Sequence, residues 1–236
     1  MEFIQVKTYD ELSTRAAAII AAQVVLKADS VLGLATGSSP VGTYRKLAEK
    51  YEAGEVDFSR VRSVNLDEYV GLDGENDQSY RYFMNTNLFD HINIDKANTR
   101  VPNGLATDLA AECAAHDAHI EALGGIDLQL LGIGPNGHIA FNEPDSVFTA
   151  PTHVVELEES TIEANSRFFA SRDEVPTRAL TMGIGAIMKA RRVLLVANGP
   201  KKKDTVQRAF FGPITPEVPA SILQLHPNVT VIYSEE

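Results

Sequence analysis

Short apolar runs alternate with longer amphipathic stretches along almost the whole chain. This pattern predicts parallel strands interleaved with helices that cover the faces of a sheet. A short first strand leads to a helix from about Asp10 to Lys27. Val31–Ala35 is then a buried strand, followed by a helix to about Glu52 with Pro40 suited to its first turn. Val61–Leu66 reads as a strand ending at Asp67-Glu68-Tyr69. Gln78–His91 and Thr107–Leu123 read as helices, and Ile126–Leu131 as the central strand. Beyond Pro144 the periodicity weakens. Thr152–Leu157 reads as a strand, Ser160–Phe169 as a short helix opened by a capping box at Ser160-Thr161-Ile162-Glu163, and Leu180–Gly183 as a strand-like piece. A short helix at Gly185–Ala190, a strand at Arg192–Ala197 and a helix at Lys201–Phe210 follow. Pro213, Pro216 and Pro219 mark a loop, Ala220–Leu225 a short helix, and Val229–Tyr233 a strand closing the sheet.

The expectation is an α/β fold, a modified doubly wound and mostly parallel sheet with helices on both faces. No composition shift marks a linker and no repeat is visible, so residues 1–236 read as a single domain.

The chain's organising stretch lies where the central strand ends, at Gly132-Ile133-Gly134-Pro135-Asn136-Gly137-His138-Ile139-Ala140-Phe141-Asn142-Glu143-Pro144. Its glycines permit tight turns and close approach of backbone to a ligand. His138, Glu143 and the amide of Asn136 are groups suited to proton transfer. An open α/β sheet binds small molecules beyond the carboxyl ends of its strands. Two further strand ends carry polar groups. Thr36-Gly37-Ser38-Ser39 precedes a helix and offers backbone N–H groups, hydroxyls and a helix dipole, features that serve an anion or an ordinary N-cap. It matches neither the Walker loop nor the dinucleotide fingerprint. Asp67 and Glu68 are candidates for a general base or for capping a turn. Lys201-Lys202-Lys203 opens a predicted helix, where cations oppose the helix dipole unless an anion is bound. Arg167, beside Phe168 and Phe169, suits a phosphate clamp or a surface ion pair.

A net charge of −11 argues against nucleic acid or an anionic membrane as partner, while a small phosphorylated substrate would need a local positive pocket. The lone Cys113 excludes an intrachain disulfide and reads as a small buried residue; no cluster has metal-ligand spacing. His116, His119 and His226 read as structural. Neither a secretory leader nor a span long enough for a bilayer is recognisable, so a cytoplasmic location is expected.

These motifs together resemble the glucosamine-6-phosphate deaminase family. The resemblance is carried by residues 32–40, Asn65-Leu66-Asp67-Glu68-Tyr69-Val70-Gly71-Leu72, residues 132–144 and Ala164-Asn165-Ser166-Arg167-Phe168-Phe169, and extends to Leu223-Gln224-Leu225-His226-Pro227. It implies a deaminating aldose–ketose isomerase that turns glucosamine 6-phosphate and water into fructose 6-phosphate and ammonia, here also classed as a hydrolase of amino-sugar catabolism. It implies Asp67 as the base between C2 and C1 and His138 as the ring-opening group, supported by Glu143 and Asn136. Thr36, Gly37, Ser38, Ser39, Arg167 and Lys202 match the phosphate pocket, with Glu68 and Gly137 beside the sugar. Such chemistry calls for no cofactor and no metal. Some family members carry Asp where this chain has Asn136, which predicts an altered pH dependence. The short tail resembles members without allosteric control, so a monomer or low-order homo-oligomer is expected. The alternatives are a 6-phosphogluconolactonase-type hydrolase and a catalytically inactive sugar-phosphate sensor.

Overall fold

The computed structural model describes residues 1–236, apart from the side chain of Phe168. Its elements are β1 (Glu2–Val6), α1 (Tyr9–Leu26), β2 (Val31–Leu34), α2 (Val41–Glu52), β3 (Arg62–Asn65), β4 (Asp67–Tyr69), α3 (Tyr80–Asn87), β5 (Thr99–Arg100), α4 (Leu109–Ala122), β6 (Leu128–Leu131), β7 (His153–Glu156), α5 (Glu159–Asn165), β8 (Arg178–Thr181), α6 (Ile184–Lys189), β9 (Val193–Asn198), α7 (Lys203–Phe211) and β10 (Val229–Ser234). Short 3₁₀ helices cover Phe89–His91, Lys96–Asn98, Ser166–Phe168, Arg172–Glu174, Pro200–Lys202 and Pro219–Leu225.

Seven strands form a parallel sheet in the order β1-β10-β9-β6-β2-β3-β5. From β2 the chain winds outward to β3 and β5. It then returns to β6 on the other side of β2 and winds outward through β9 and β10. The order therefore reverses between β2 and β6, and the loops that leave these two strands flank the crevice where such sheets hold ligands. The strands are apolar because both faces are covered: β2, β6 and β10 are buried at every position. β10 lies between β1 and β9, so it does not close the sheet as expected; the first strand takes that edge.

A second sheet, β4-β8-β7, is antiparallel. Asp67-Glu68-Tyr69 is thus a strand of its own rather than the tail of β3. The end of β8 ties this sheet to the crevice. Met182 N–H donates to Leu66 O at 2.6 Å, Thr181 Oγ1 accepts Phe141 N–H at 2.9 Å, and Met182 O accepts Asn142 Nδ2 at 2.9 Å. β4 and the loop after β6 are consequently held against the same strand end. A small aromatic core of Tyr69, Phe141, Leu157, Ile162, Val175 and Ala179 fills the space beneath.

At the other end of the central strands, where they begin, Asp127 is only 4% exposed. It accepts Lys27 Nζ at 2.6 Å, Val31 N–H at 2.8 Å and Arg191 Nη1 at 3.0 Å. Burial acts to raise its carboxyl, but these donors outweigh burial and hold it below the usual range. The network joins the chain entering β2, β6 and β9. No helix among the described residues is long and apolar enough to cross a membrane.

Candidate active site

The loop leaving β6 turns back on itself through backbone bonds. Gly134 N–H donates to His138 O at 2.9 Å and Gly137 N–H to Gly134 O at 3.1 Å, with Gly137 at φ +97°. Ala140 adopts φ +52°, a left-handed conformation open to a small residue at a cost of about 1 kcal/mol or more. This reversal brings Glu143 back over His138. His138 Nδ1 lies 3.2 Å from Glu143 Oε2, and Asn136 Nδ2 donates to the same oxygen at 2.7 Å. Asn136 Oδ1 accepts His138 N–H at 3.2 Å. With Nδ1 protonated toward the carboxylate, Nε2 carries the lone pair and can accept a proton. Gly134 backs onto the imidazole: a Cβ there would stand 2.3 Å from Nε2. Here the glycine serves close approach, while Gly137 serves a positive φ.

Thr161 Oγ1 donates to Glu143 Oε1 at 2.6 Å. Burial acts to raise the Glu143 carboxyl, yet bonds from His138, Thr161 and Asn136 and the His138 charge prevail and hold it below the usual range. Thr161 was not among the residues expected at the site. The structure corrects the capping box that contained it: α5 starts at Glu159 after Glu158, whose side chain makes no cap bond. The hydroxyl faces a catalytic candidate because of tertiary packing that local spacing cannot reveal.

Asp67 and Glu68 alternate across β4 and so face opposite ways. Asp67 is 5% exposed and its Oδ1 meets no hydrogen-bond donor. Burial, and then the nearby Glu68 charge, push its carboxyl well above the ordinary range. A buried carboxylate without a partner for one oxygen is costly, and such groups mark sites prepared for proton transfer. Glu68 does other work. Oε1 accepts the N–H groups of Tyr69 and Tyr80, each at 2.9 Å, and Oε2 accepts that of Arg81 at 3.0 Å. It is 2% exposed, with burial raising its carboxyl to about 7 against the pull of those N–H donors. Glu68 thus secures the start of α3 to β4, leaving little capacity for the expected sugar contact.

The anion candidates gather at the ends of β2 and β9. Gly37, at φ +94°, turns the chain between β2 and α2. Tyr9 Oη donates to Ser38 O at 3.0 Å and accepts Gly42 N–H at 2.8 Å, which fixes this loop to α1. Pro40 stands just before α2 at the cap position, one residue earlier than its expected place in the first turn. Ser39 Oγ donates to Asn198 Oδ1 at 2.7 Å, joining β2 to β9. Ser38 Oγ lies 3.4 Å from Arg167 Nη2, and Thr36 is half-buried in the same turn. Of the three lysines only Lys202 is engaged here: its Nζ donates to Ile133 O at 2.6 Å, whereas Lys203 pairs with Glu235. Lys201–Lys202 belong to a 3₁₀ turn and α7 begins at Lys203. Burial, and then the Arg167 charge, lower the Lys202 ammonium to about 8. Two cations that raise each other's energy beside a glycine–serine turn would both gain from an anion between them.

Outside the crevice, Cys113 and His116 are buried on α4, and His226 is held by Ala190 O at 2.8 Å and Asn228 N–H at 3.1 Å, consistent with structural roles. The crevice therefore joins a buried base candidate, an imidazole–carboxylate pair and an anion pocket on three neighbouring strand ends and one strand of the small sheet.

Comparison with known proteins identifies the family of the chain. The family described as Glucosamine-6-phosphate isomerases/6-phosphogluconolactonase matches residues 5–232. A glucosamine-6-phosphate deaminase of Lachnoclostridium phytofermentans is 64% identical over 232 residues, covering 98% of each chain. A solved structure described as a monomeric glucosamine-6-phosphate deaminase superposes with TM-score 0.98 at 46% identity, over 100% of this chain and 98% of the other. A 6-phosphogluconolactonase from Thermotoga maritima, at TM-score 0.76 and 18% identity over 100% and 99% of the two chains, shares the fold alone. The relatives' name, deaminase, overturns the hydrolase class expected from the sequence; the assignment is to deaminases that act as isomerases. With the match spanning nearly all of its length and the modified doubly wound fold in common, the chain belongs to the glucosamine-6-phosphate isomerase/6-phosphogluconolactonase family.

Proposed function

We propose that this protein is a glucosamine-6-phosphate deaminase, converting glucosamine 6-phosphate and water into fructose 6-phosphate and ammonia. The observation that carries the reading is a buried Asp67 with one oxygen unpaired, on a strand whose partner Thr181 holds the loop of the His138–Glu143 pair, beside the Lys202–Arg167 anion pocket. The names of the full-length relatives support the same substrate.

The phosphate binds between Ser38, Arg167 and Lys202, with the backbone of Thr36, Gly37 and Ser39 forming the turn around it. His138 takes the O1 proton through Nε2 and passes it to the ring oxygen, opening the sugar. Glu143 holds the imidazole and stabilises its charged form, and Asn136 holds Glu143. Asp67 then moves the C2 proton to C1. Its raised proton affinity suits that step, because a carboxylate of ordinary pKa is a feeble base toward a carbon acid. Isomerisation leaves an imine at C2, and water addition with loss of ammonia gives the ketone. Gly137 lies next to His138, where only a backbone without a side chain fits beside Val218. We read the 236 residues as one cytoplasmic domain acting as a monomer or low-order oligomer; a relative described as monomeric supports this.

The test is ammonia release from glucosamine 6-phosphate, beside hydrolysis of 6-phosphogluconolactone. Ammonia with no lactone hydrolysis is the expected result. Lactone hydrolysis without ammonia would replace the reading, and binding without either reaction would make the protein a sensor.

A further inference from the structure

α5 and the 3₁₀ turn after it send three side chains to three parts of the crevice. Thr161 donates to Glu143 Oε1 at 2.6 Å, Asn165 Nδ2 donates to Tyr69 Oη at 2.9 Å, and Arg167 Nη2 reaches toward Ser38 Oγ at 3.4 Å. Tyr69 follows Asp67 on β4. One segment thus touches the imidazole–carboxylate pair, the strand of the base and the phosphate loop. Thr161 is 2% exposed, so bulk water cannot replace its hydroxyl. Glu143 Oε2 is already taken by Asn136 and His138, and Oε1 takes the threonine. A carboxylate held at both oxygens cannot rotate, and its orientation sets the tautomer of the imidazole it faces.

We propose that Thr161 is a positioning residue for ring opening: its hydroxyl fixes the Glu143 carboxylate, and through it His138, from the same segment that brings Arg167 to the phosphate loop. This rests on the deaminase reading above. A hydroxyl bond to a buried carboxylate is strong enough that its loss costs roughly ten- to a hundredfold in the step it supports. The loss acts on kcat. KM moves little, because Thr161 lies behind Glu143 and outside the phosphate pocket.

The experiment compares kcat and KM of ammonia release for wild type, Thr161→Val, Thr161→Ala and Thr161→Ser, with a thermal melt of each. Valine keeps the branched shape without the hydroxyl, and alanine serves if valine does not fold. The hydroxyl-free variants should lose roughly ten- to a hundredfold in kcat and keep KM within about twofold. Serine should restore the rate. Wild-type kcat in Thr161→Val or Thr161→Ala, or a serine variant as impaired as they are, would overturn the proposal. Absence of ammonia from wild type would overturn the deaminase reading, and the role of Thr161 with it.

Discussion

A methyl group at position 134 tests whether the imidazole acts where the structure holds it. An ideal Cβ on Gly134 would stand 2.3 Å from His138 Cε1 and Nε2 and 2.4 Å from Nδ1. Non-bonded carbons rest at about 3.5–4.0 Å, so ring or loop must retreat by roughly 1 Å or more. The Nδ1 to Glu143 Oε2 contact is already 3.2 Å, near the long end of a good hydrogen bond, and cannot survive such a shift. Misplacement by about 1 Å costs on the order of a hundredfold in rate. Overpacking costs about 1–3 kcal/mol where the surroundings are rigid. The His138 side chain is 15% exposed, so the ring can swing toward the crevice and relieve part of that strain. Gly134→Ala should therefore fold with a modest loss of melting temperature, while kcat falls about a hundredfold. Gly132→Ala is the control, because a Cβ there meets no protein atom within 4 Å. Any effect of that change concerns the substrate and enters through KM. Ammonia release under saturating substrate, with a melt of each variant, measures both. A Gly134→Ala enzyme with the wild-type kcat would refute the placement of His138 as the ring-opening group.

Two buried aspartates, Asp67 on the small sheet and Asp127 at the start of β6, should respond in opposite directions to the same change. Asp127→Asn weakens three charge-assisted bonds and should lower stability by about 2 kcal/mol, with the difference from wild type vanishing as pH falls and Asp127 becomes protonated. Asp67→Asn removes a buried carboxylate whose proton affinity is raised, so it should raise the melting temperature at neutral pH, and the gain should shrink on acidification; chemical denaturation at two pH values checks both. The Lys202 ammonium, at about 8, predicts that KM for the phosphorylated substrate climbs above that pH as the free enzyme loses the charge. Lys202→Arg stays charged and should flatten the climb, at the cost of a higher KM at neutral pH because the bond to Ile133 O is lost.

The large sheet was legible because its strands are buried on both faces and read as continuous apolar runs, as in Val193–Asn198 and Val229–Ser234. The place of β10 was not, since a strand's neighbours depend on pairings distant in sequence. In the small sheet β7 and part of β8 were legible as strands, but β4 and the pairing of the three were not, for a related reason. Asp67-Glu68-Tyr69 is short and carries two carboxylates, and only its pairing with Ala179–Thr181 makes it a strand. At the site, His138 and Glu143 stood out through their glycine-rich loop, Asp67 through its place at a strand end and Arg167 through its aromatic neighbours, and the family resemblance gave these residues roles and singled out Lys202. What separates Lys202 from its lysine neighbours is the turn that points it at Ile133 O. Glu68 looked like a partner of the substrate because alternation along a three-residue strand could not be seen, and Thr161 was hidden in an apparent capping motif.

The central claim is that Asp67 moves the proton between C2 and C1 in an amino-sugar phosphate. Asp67→Asn keeps the shape and removes the base. Ammonia release from glucosamine 6-phosphate by wild type, with a fall of roughly two to four orders of magnitude in kcat for a folded Asp67→Asn, is the predicted result. A folded variant that releases ammonia at the wild-type rate would contradict the account.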